Sequence, residues 1–413
     1  MIKRGAFGFY WMAHSSISLA SVVYIMVLTT FMYQETGSAF MASLYPLISA
    51  LARLVAGLTA PLIMEKFDFS KLLVRLQVCK GIFMSTLVVL FPYIYSRIEL
   101  ICLFILLIAF TEGWGNPLIR SLVPRIVPAD RLVKANSSLS VSSQSLQIAG
   151  YTFTGFIVIQ YGHIPTLVIA CILIWVSVAG LGLASYSAKD DHQASGPAKP
   201  SWQVMREGWT LLWRIPTLRM VTLMDMIEGV AGTIWVGAIT LVYVKEVLNQ
   251  GEEWWGFINA SYYAGAILGG LLSYMFASFI QKNLVFSMAI GSAIFSLLTL
   301  WYGLNSTPII ALVLCIAMGP AYQMRDVAQQ TAFQSSVEPG ILSKVYASHD
   351  ILISTITSIS IAFIGFIADT MGIRMVYIVG AVFIAISAGL SLMIVRLNRQ
   401  SPRNVQSDHK TVS

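Results

Sequence analysis

The sequence predicts an all-α polytopic membrane protein, with twelve transmembrane helices forming two pseudo-symmetric six-helix bundles. Three observations carry this. Only 11% of the 413 residues are charged and 57% are hydrophobic, whereas a soluble domain is about one-quarter charged, so the chain cannot cover a water-facing surface. The apolar residues fall into twelve runs, each near the ~20 residues a helix needs to cross hydrocarbon. A polar stretch at 187–217 divides the runs six and six. Helix is imposed by the solvent, because lipid gives backbone N–H and C=O groups no partner. A soluble enzyme, a secreted disulfide scaffold and a disordered regulator are all excluded.

The expected spans are 9–34, 38–63, 72–95, 98–120, 135–160 and 162–186, then 218–244, 254–280, 283–303, 307–330, 343–369 and 372–396. Lys3 and Arg4 precede the first, whose apolar stretch Phe9–Tyr33 is longer than the core of a secretory signal, so it reads as an uncleaved helix. Of 26 Lys and Arg, only Arg97, Lys245 and Arg374 fall on loops of one side; Arg53 and Lys80 lie inside spans, and the other 21 gather on the opposite side. Basic residues accumulate in cytoplasmic loops. The bias therefore predicts a multi-pass protein of the cell membrane with both termini in the cytoplasm, and it accounts for the net charge of +7 without nucleic acid.

The domain organisation read from this is an N-terminal bundle over 1–186, a cytoplasmic linker over 187–217, a C-terminal bundle over 218–400 and a cytoplasmic tail over 401–413. Within the linker, Ala188–Pro200 has a flexible composition. Ser201–Arg214 places Trp202, Met205, Trp209, Leu212 and Trp213 at helical spacing, which predicts an amphipathic helix on the membrane surface. The halves share a faint repeat. Offset by 210 residues, Leu122–Gly162 lies over Ala332–Gly372 without a gap, and Phe153, Gly155, Phe156, Ile157 and Gly162 meet Phe363, Gly365, Phe366, Ile367 and Gly372.

Ionisable residues inside spans are the candidates for chemistry, since each costs roughly 2.5–3.5 kcal/mol on insertion scales. Arg53, Lys80 and Glu112 fall at similar depths in spans 2, 3 and 4. They can carry a proton, bind an anion or form a structural ion pair, with a lysine reaching toward the interface. Asp225 and Glu228 in span 7 share a helix face, where a proton relieves the repulsion of two carboxylates. Arg325 and Asp326, near the end of span 10, are expected to pair with loop charges, and His349-Asp350 to be interfacial. His14 reads as a packing residue. Gly265, Gly269 and Gly270 form a small-residue face for close helix approach, and Gly113, Gly115 and Pro117 invite a bend in span 4. Cys79, Cys102, Cys171 and Cys315 lie in apolar spans without CxxC spacing and read as buried small hydrophobes, with neither a disulfide nor a metal site. No GxxxxGK[ST], HExxH or GxSxG motif occurs. The expectation is a transporter and no enzyme, without a cofactor, driven by a proton gradient.

Several segments resemble a known family. Glu35-Thr-Gly-Ser38, Asn116-Pro-Leu-Ile-Arg-Ser-Leu-Val-Pro124, Val127-Pro-Ala-Asp-Arg-Leu-Val-Lys-Ala-Asn136 and Pro216-Thr-Leu-Arg219 are similar to loops and span ends of major facilitator superfamily permeases. The likeness is to the drug/H⁺ antiporter branch with macrolide-efflux and siderophore-export proteins. It covers nearly the whole chain and implies two parallel six-helix repeats. At the family's gate loop between spans 2 and 3, this chain has Glu65, Lys66 and Lys71, with Phe69 and Ser70 where arginines are expected. Ala20-Ser21 stands where family members often have Gly-Asp in span 1, which leaves no acidic residue there. In the span 5 antiporter pattern Gly150 and Gly155 remain, and Tyr151 replaces the proline. The resemblance implies proton-coupled efflux of a small amphipathic molecule (antibiotic, drug or siderophore) by alternating access, as a monomer whose partners are that substrate and the bilayer. The alternative is a proton-coupled importer or lysolipid flippase. Glu112, Asp225, Glu228, Arg53 and Lys80 are the candidates for proton coupling or substrate binding, and Gly150, Gly155 and Pro117 for helix packing or gating.

Overall fold

A computed structural model describes residues 4–36, 39–187, 201–235, 237–251 and 253–400. The expected linker segment Ala188–Pro200 and the tail from Ser401 lie outside the described residues, as do the side chains of Trp202 and Met205. The helices are α1 (Arg4–Thr36), α2 (Ala39–Lys66), α3 (Phe69–Ile94), α4 (Ile98–Ile126), α5 (Leu132–Tyr161), α6 (His163–Ser187), α7 (Ser201–Arg214), α8 (Pro216–Gly232), α9 (Gly237–Glu246), α10 (Glu253–Met275), α11 (Ala277–Lys282), α12 (Leu284–Leu304), α13 (Pro308–Gln334), α14 (Pro339–Met371) and α15 (Ile373–Gln400). Within the described residues, every expected span falls on helix. Span 7 is broken into α8 and α9 with a bend of 49°, and span 8 into α10 and α11. Among the described residues, nine helices are each long and apolar enough to cross a membrane, and ten if the bent pair is one span. α5 is not among the nine; its run from Ser137 to Gln147 is rich in Ser and Gln.

The chain groups into two compact units, one of Met1–Trp209 with Val337–Thr355, the other of Thr210–Ser336 with Ile356–Ser413. In the first, α1 packs on α6, α2 on α4, and α3 on both α4 and α6. Its core falls into two clusters, one around Tyr10, Leu73 and Leu122, the other around Tyr24, Leu28, Met84 and Ile105. In the second unit, α8 packs on α15, α10 on α13, and α12 on both α13 and α15. This is the first unit's pairing scheme displaced by six spans, so the repeat suggested by sequence is a repeat of packing. It is retained most clearly at two joints. Gly162 between α5 and α6 has φ 82° and its counterpart Gly372 between α14 and α15 has φ 84°, a region glycine enters without steric cost.

Close packing follows the small residues. A Cβ on Gly265 would lie 2.6 Å from the Ile316 carbonyl oxygen, and one on Gly269 would lie 2.8 Å from Pro320 Cα, so α10 and α13 touch through backbone. A Cβ on Gly113 of α4 would lie 3.0 Å from Arg53 Cα on α2, and one on Gly150 of α5 would lie 2.8 Å from Val22 Cγ1 on α1. Gly155 has more room, 3.3 Å from Met26 Cε. Pro117 sits inside an unbroken α4. The cysteines correct one expectation: only Cys315 is buried, Cys102 and Cys171 are partly exposed and Cys79 is exposed. The outward faces of membrane helices are as apolar as their core, so composition alone does not place a small apolar side chain inside.

Gly265→Leu forces side-chain atoms into the α13 backbone and should destabilise the fold by about 1–3 kcal/mol. Gly256→Leu on the same helix, where nothing lies within 4 Å, should be silent; thermal unfolding of the two variants in detergent compares them.

Candidate functional site

In the first unit, four helices converge on one carboxylate. Lys80 Nζ on α3 donates to Glu112 Oε1 on α4 at 2.7 Å. The Tyr24 hydroxyl on α1 donates to the same oxygen. Arg53 Nη1 on α2 stands 3.7 Å from Oε2. Lys80 is only 3% exposed, so it does not reach toward the interface but stays at the pair, with its ammonium over the Tyr24 ring. Two cations thus share one anion, a formal surplus of +1 within apolar surroundings.

A cavity of about 200 Å³ opens beside this triad, and its walls include Arg53, Gly113, Asn116, Pro117, Arg120, Asp350 and Ser354. Arg120 Nη1 is bound to Asp350 Oδ1 at 2.8 Å. His349, expected at the interface, is 8% exposed and packs within 3.5 Å of that carboxylate. His14 is a packing residue as expected, with Ser18 Oγ 3.5 Å from its Nδ1 and Tyr10 beside its ring.

At the far end of α2, the gate-loop residues behave unequally. Glu65 binds Lys344 on α14, and Lys344 Nζ also donates to Glu207 Oε2 on α7 at 2.9 Å. Lys71 pairs locally with Asp68 at 2.7 Å, and Lys66 is exposed at the end of α2. Lys344 and Glu207 were not legible as site residues. Their signal was a lone lysine in the first turns of span 11 and an acid on the amphipathic linker helix.

The second unit holds a cluster of the opposite sign. Glu228 on α8 is 3.3 Å from Arg325 Nε on α13 and accepts from the Ser387 hydroxyl on α15. Gln329 Nε2 bridges Glu228 Oε2 at 3.2 Å and Asp225 Oδ1 at 3.3 Å. Asp225 and Asp326 also act on Arg325 electrostatically, so one guanidinium feels three carboxylates, with Glu228 the one in contact. The expectation that Arg325 pairs with loop charges is corrected: its side chain is 6% exposed and stacks over Tyr322 at 4.7 Å. Room for it comes from Gly291 on α12, whose Cβ would lie 3.0 Å from Arg325 Cβ. Asp225 and Glu228 are brought together as expected; Gln329, Ser387, Tyr24 and Tyr322 were missed, because neutral polar residues in spans carry no charge to mark them. Among the described residues no three His, Cys, Asp or Glu side chains gather as metal ligands.

Two like-paired sets of apolar helices, each with charged groups sunk inside it, describe a polytopic helical membrane protein. The chain belongs to the Major Facilitator Superfamily, whose family model matches residues 7–352. It is 32% identical over 378 residues to an uncharacterized MFS-type transporter of Bacillus subtilis, YfmI, covering 91% of this chain and 93% of that one. It is 20% identical over 403 residues to Macrolide efflux protein A of Streptococcus pyogenes, covering 94% and 96%. Among solved structures, a bacterial homologue of the iron transporter ferroportin in an outward-facing state has a TM-score of 0.79 at 10% identity, covering 95% of this chain and 99% of that one. The transporter FucP in its outward conformation has a TM-score of 0.74 at 14% identity, covering 94% and 98%. These structures share the twelve-helix fold, and the protein is a multi-pass secondary transporter that binds a small molecule within the membrane.

Lys80→Met removes Glu112's closest cation and should destabilise the protein by about 3–5 kcal/mol, the cost of breaking a buried pair. Lys80→Met with Glu112→Leu should recover most of that loss; the apparent unfolding temperature of each in detergent is the check.

Proposed function

We propose that the protein is a proton-coupled exporter of a small amphipathic molecule, working by alternating access as a monomer in the cell membrane with both termini cytoplasmic. The observation that carries this is the opposite charge balance of the two clusters. Three carboxylates around Arg325 form a site suited to taking up a proton. The cation-rich cluster at Glu112 is suited to meeting substrate. We assign the proton to Asp225 and Glu228, and substrate contact to Arg53, Lys80 and Glu112. Coupling requires that protonation favour one facing state over the other. The gradient supplies the energy and no cofactor is needed. Similarity to Macrolide efflux protein A supports export of an amphipathic solute. The Glu65–Lys344 contact supports a gating role for the loop after α2.

A second reading rests on the same cation surplus together with Ala20-Ser21, where the span 1 acid is missing: import, or movement of a lysolipid with an anionic head group. Direction separates the two. In everted vesicles whose lumen is acidified by respiration, an exported compound accumulates inside and releases lumenal protons, seen with a pH-sensitive dye. A panel of macrolides, siderophores and lysolipids should contain such a compound. Glu228→Gln and Asp225→Asn should each lower the proton signal by roughly 5- to 150-fold at unchanged protein level. Unchanged signals in both variants would remove the pair from coupling, and a compound leaving the vesicles as protons leave would reverse the direction.

A further inference from the structure

We infer that Arg53 and the cavity beside it dock an anionic group of the transported molecule, a carboxylate, phosphate or sulfonate, with its apolar remainder against Leu54 and Ile351. This rests on the transport reading above and narrows its substrate class.

The charge inventory comes first. Glu112 is satisfied by Lys80 at 2.7 Å and by Tyr24. Arg53 stands 3.7 Å from the remaining oxygen, beyond hydrogen-bond distance. Among the described residues it pairs with no other acid. A guanidinium carries five donors in a fixed fork that matches an oxyanion bidentately, and a single 3.7 Å approach to an acid already held by Lys80 leaves that fork unfilled.

The geometry agrees. The Arg53 side chain is 39% exposed and lines the 200 Å³ cavity, which is several times the ~30 Å³ share of one water. That is enough for an oxyanion and a short apolar stem. The other cation on the wall, Arg120, is held by Asp350 at 2.8 Å, so the lining keeps a net charge of +1 centred on Arg53. Asn116 and Ser354 add polar groups, and Leu54, Ala347, Ile351 and Ile353 add apolar wall. Gly113 lets α4 pack on the Arg53 backbone, where a Cβ would lie 3.0 Å from Arg53 Cα, and this close packing fixes where the guanidinium starts. The acidic cluster around Arg325 would repel the same ligand. The apolar grooves by Trp175 and by Phe276 lack charge altogether.

The test uses the full chain in nanodiscs of phosphatidylcholine and three dansyl-labelled eleven-carbon probes that end in a carboxylate, a primary amide or an amine. The carboxylate should bind roughly ten- to hundredfold more tightly than the other two, the range of one or two hydrogen bonds to a charged group. Arg53→Gln should abolish that preference, and Arg53→Lys should keep part of it. Glu112→Gln removes the competing anion, so it should tighten carboxylate binding, a gain that a folding defect cannot mimic. Displacement by lysophosphatidylglycerol alone assigns the anion to a lipid, and displacement by octanoate alone assigns it to a soluble solute. Equal affinity for the three probes, an undiminished preference in Arg53→Gln, or displacement by neither competitor overturns the site. A preserved carboxylate preference without proton release in everted vesicles sinks the export reading and leaves the site standing. Proton-coupled export of an uncharged compound, undiminished in Arg53→Gln, does the reverse.

Discussion

Charge that leaves water must be met by charge or by hydrogen bonds, and in this protein that demand decides which helices come together. Glu112 is the clearest case. Its carboxylate draws a lysine from α3, an arginine from α2 and a hydroxyl from α1 onto α4, so four helices are registered against one another at one depth. In the second unit Glu228 does the same for α8, α13 and α15. Hydrophobic burial cannot supply this registration, because a leucine gains nothing by leaving lipid for another leucine. Backbone contact through Gly265 and Gly319 adds shape to it.

The two units answer the same demand with different residues. Helix pairing is repeated, while the charged groups are not: the first unit ends with a cation in excess and the second with carboxylates in excess. Duplication preserved the frame and left the polar interior free to diverge.

Much of the fold could be read from the chain. The twelve apolar runs coincide with helices, and α7 occupies Ser201–Arg214 as its spacing requires. The match of Gly162 with Gly372 proved to be a match of backbone conformation. The breaks at α8–α9 and α10–α11 were not legible, since hydropathy measures composition and not direction. The site was half legible for a related reason. A position in a span gives depth, but the face it occupies depends on neighbours that sequence does not show. Lys80 was therefore grouped with Glu112 by depth alone, as the structure has it, Arg325 was assigned to loop charges and instead meets Glu228, and the three-way contact of Glu65, Lys344 and Glu207 went unseen. Its members are 279 and 137 residues apart along the chain.

That three-way contact bears on how the chain tolerates changes in length. α7 is pinned at its middle, where Glu207 is bound by Lys344 and a Cβ on Gly208 would fall 2.5 Å from the Lys344 carbonyl oxygen. Residues added before Ser201 leave that anchor where it is. Insertions and deletions that accumulate over evolutionary time belong, on this account, upstream of the pin, where they leave its contacts untouched.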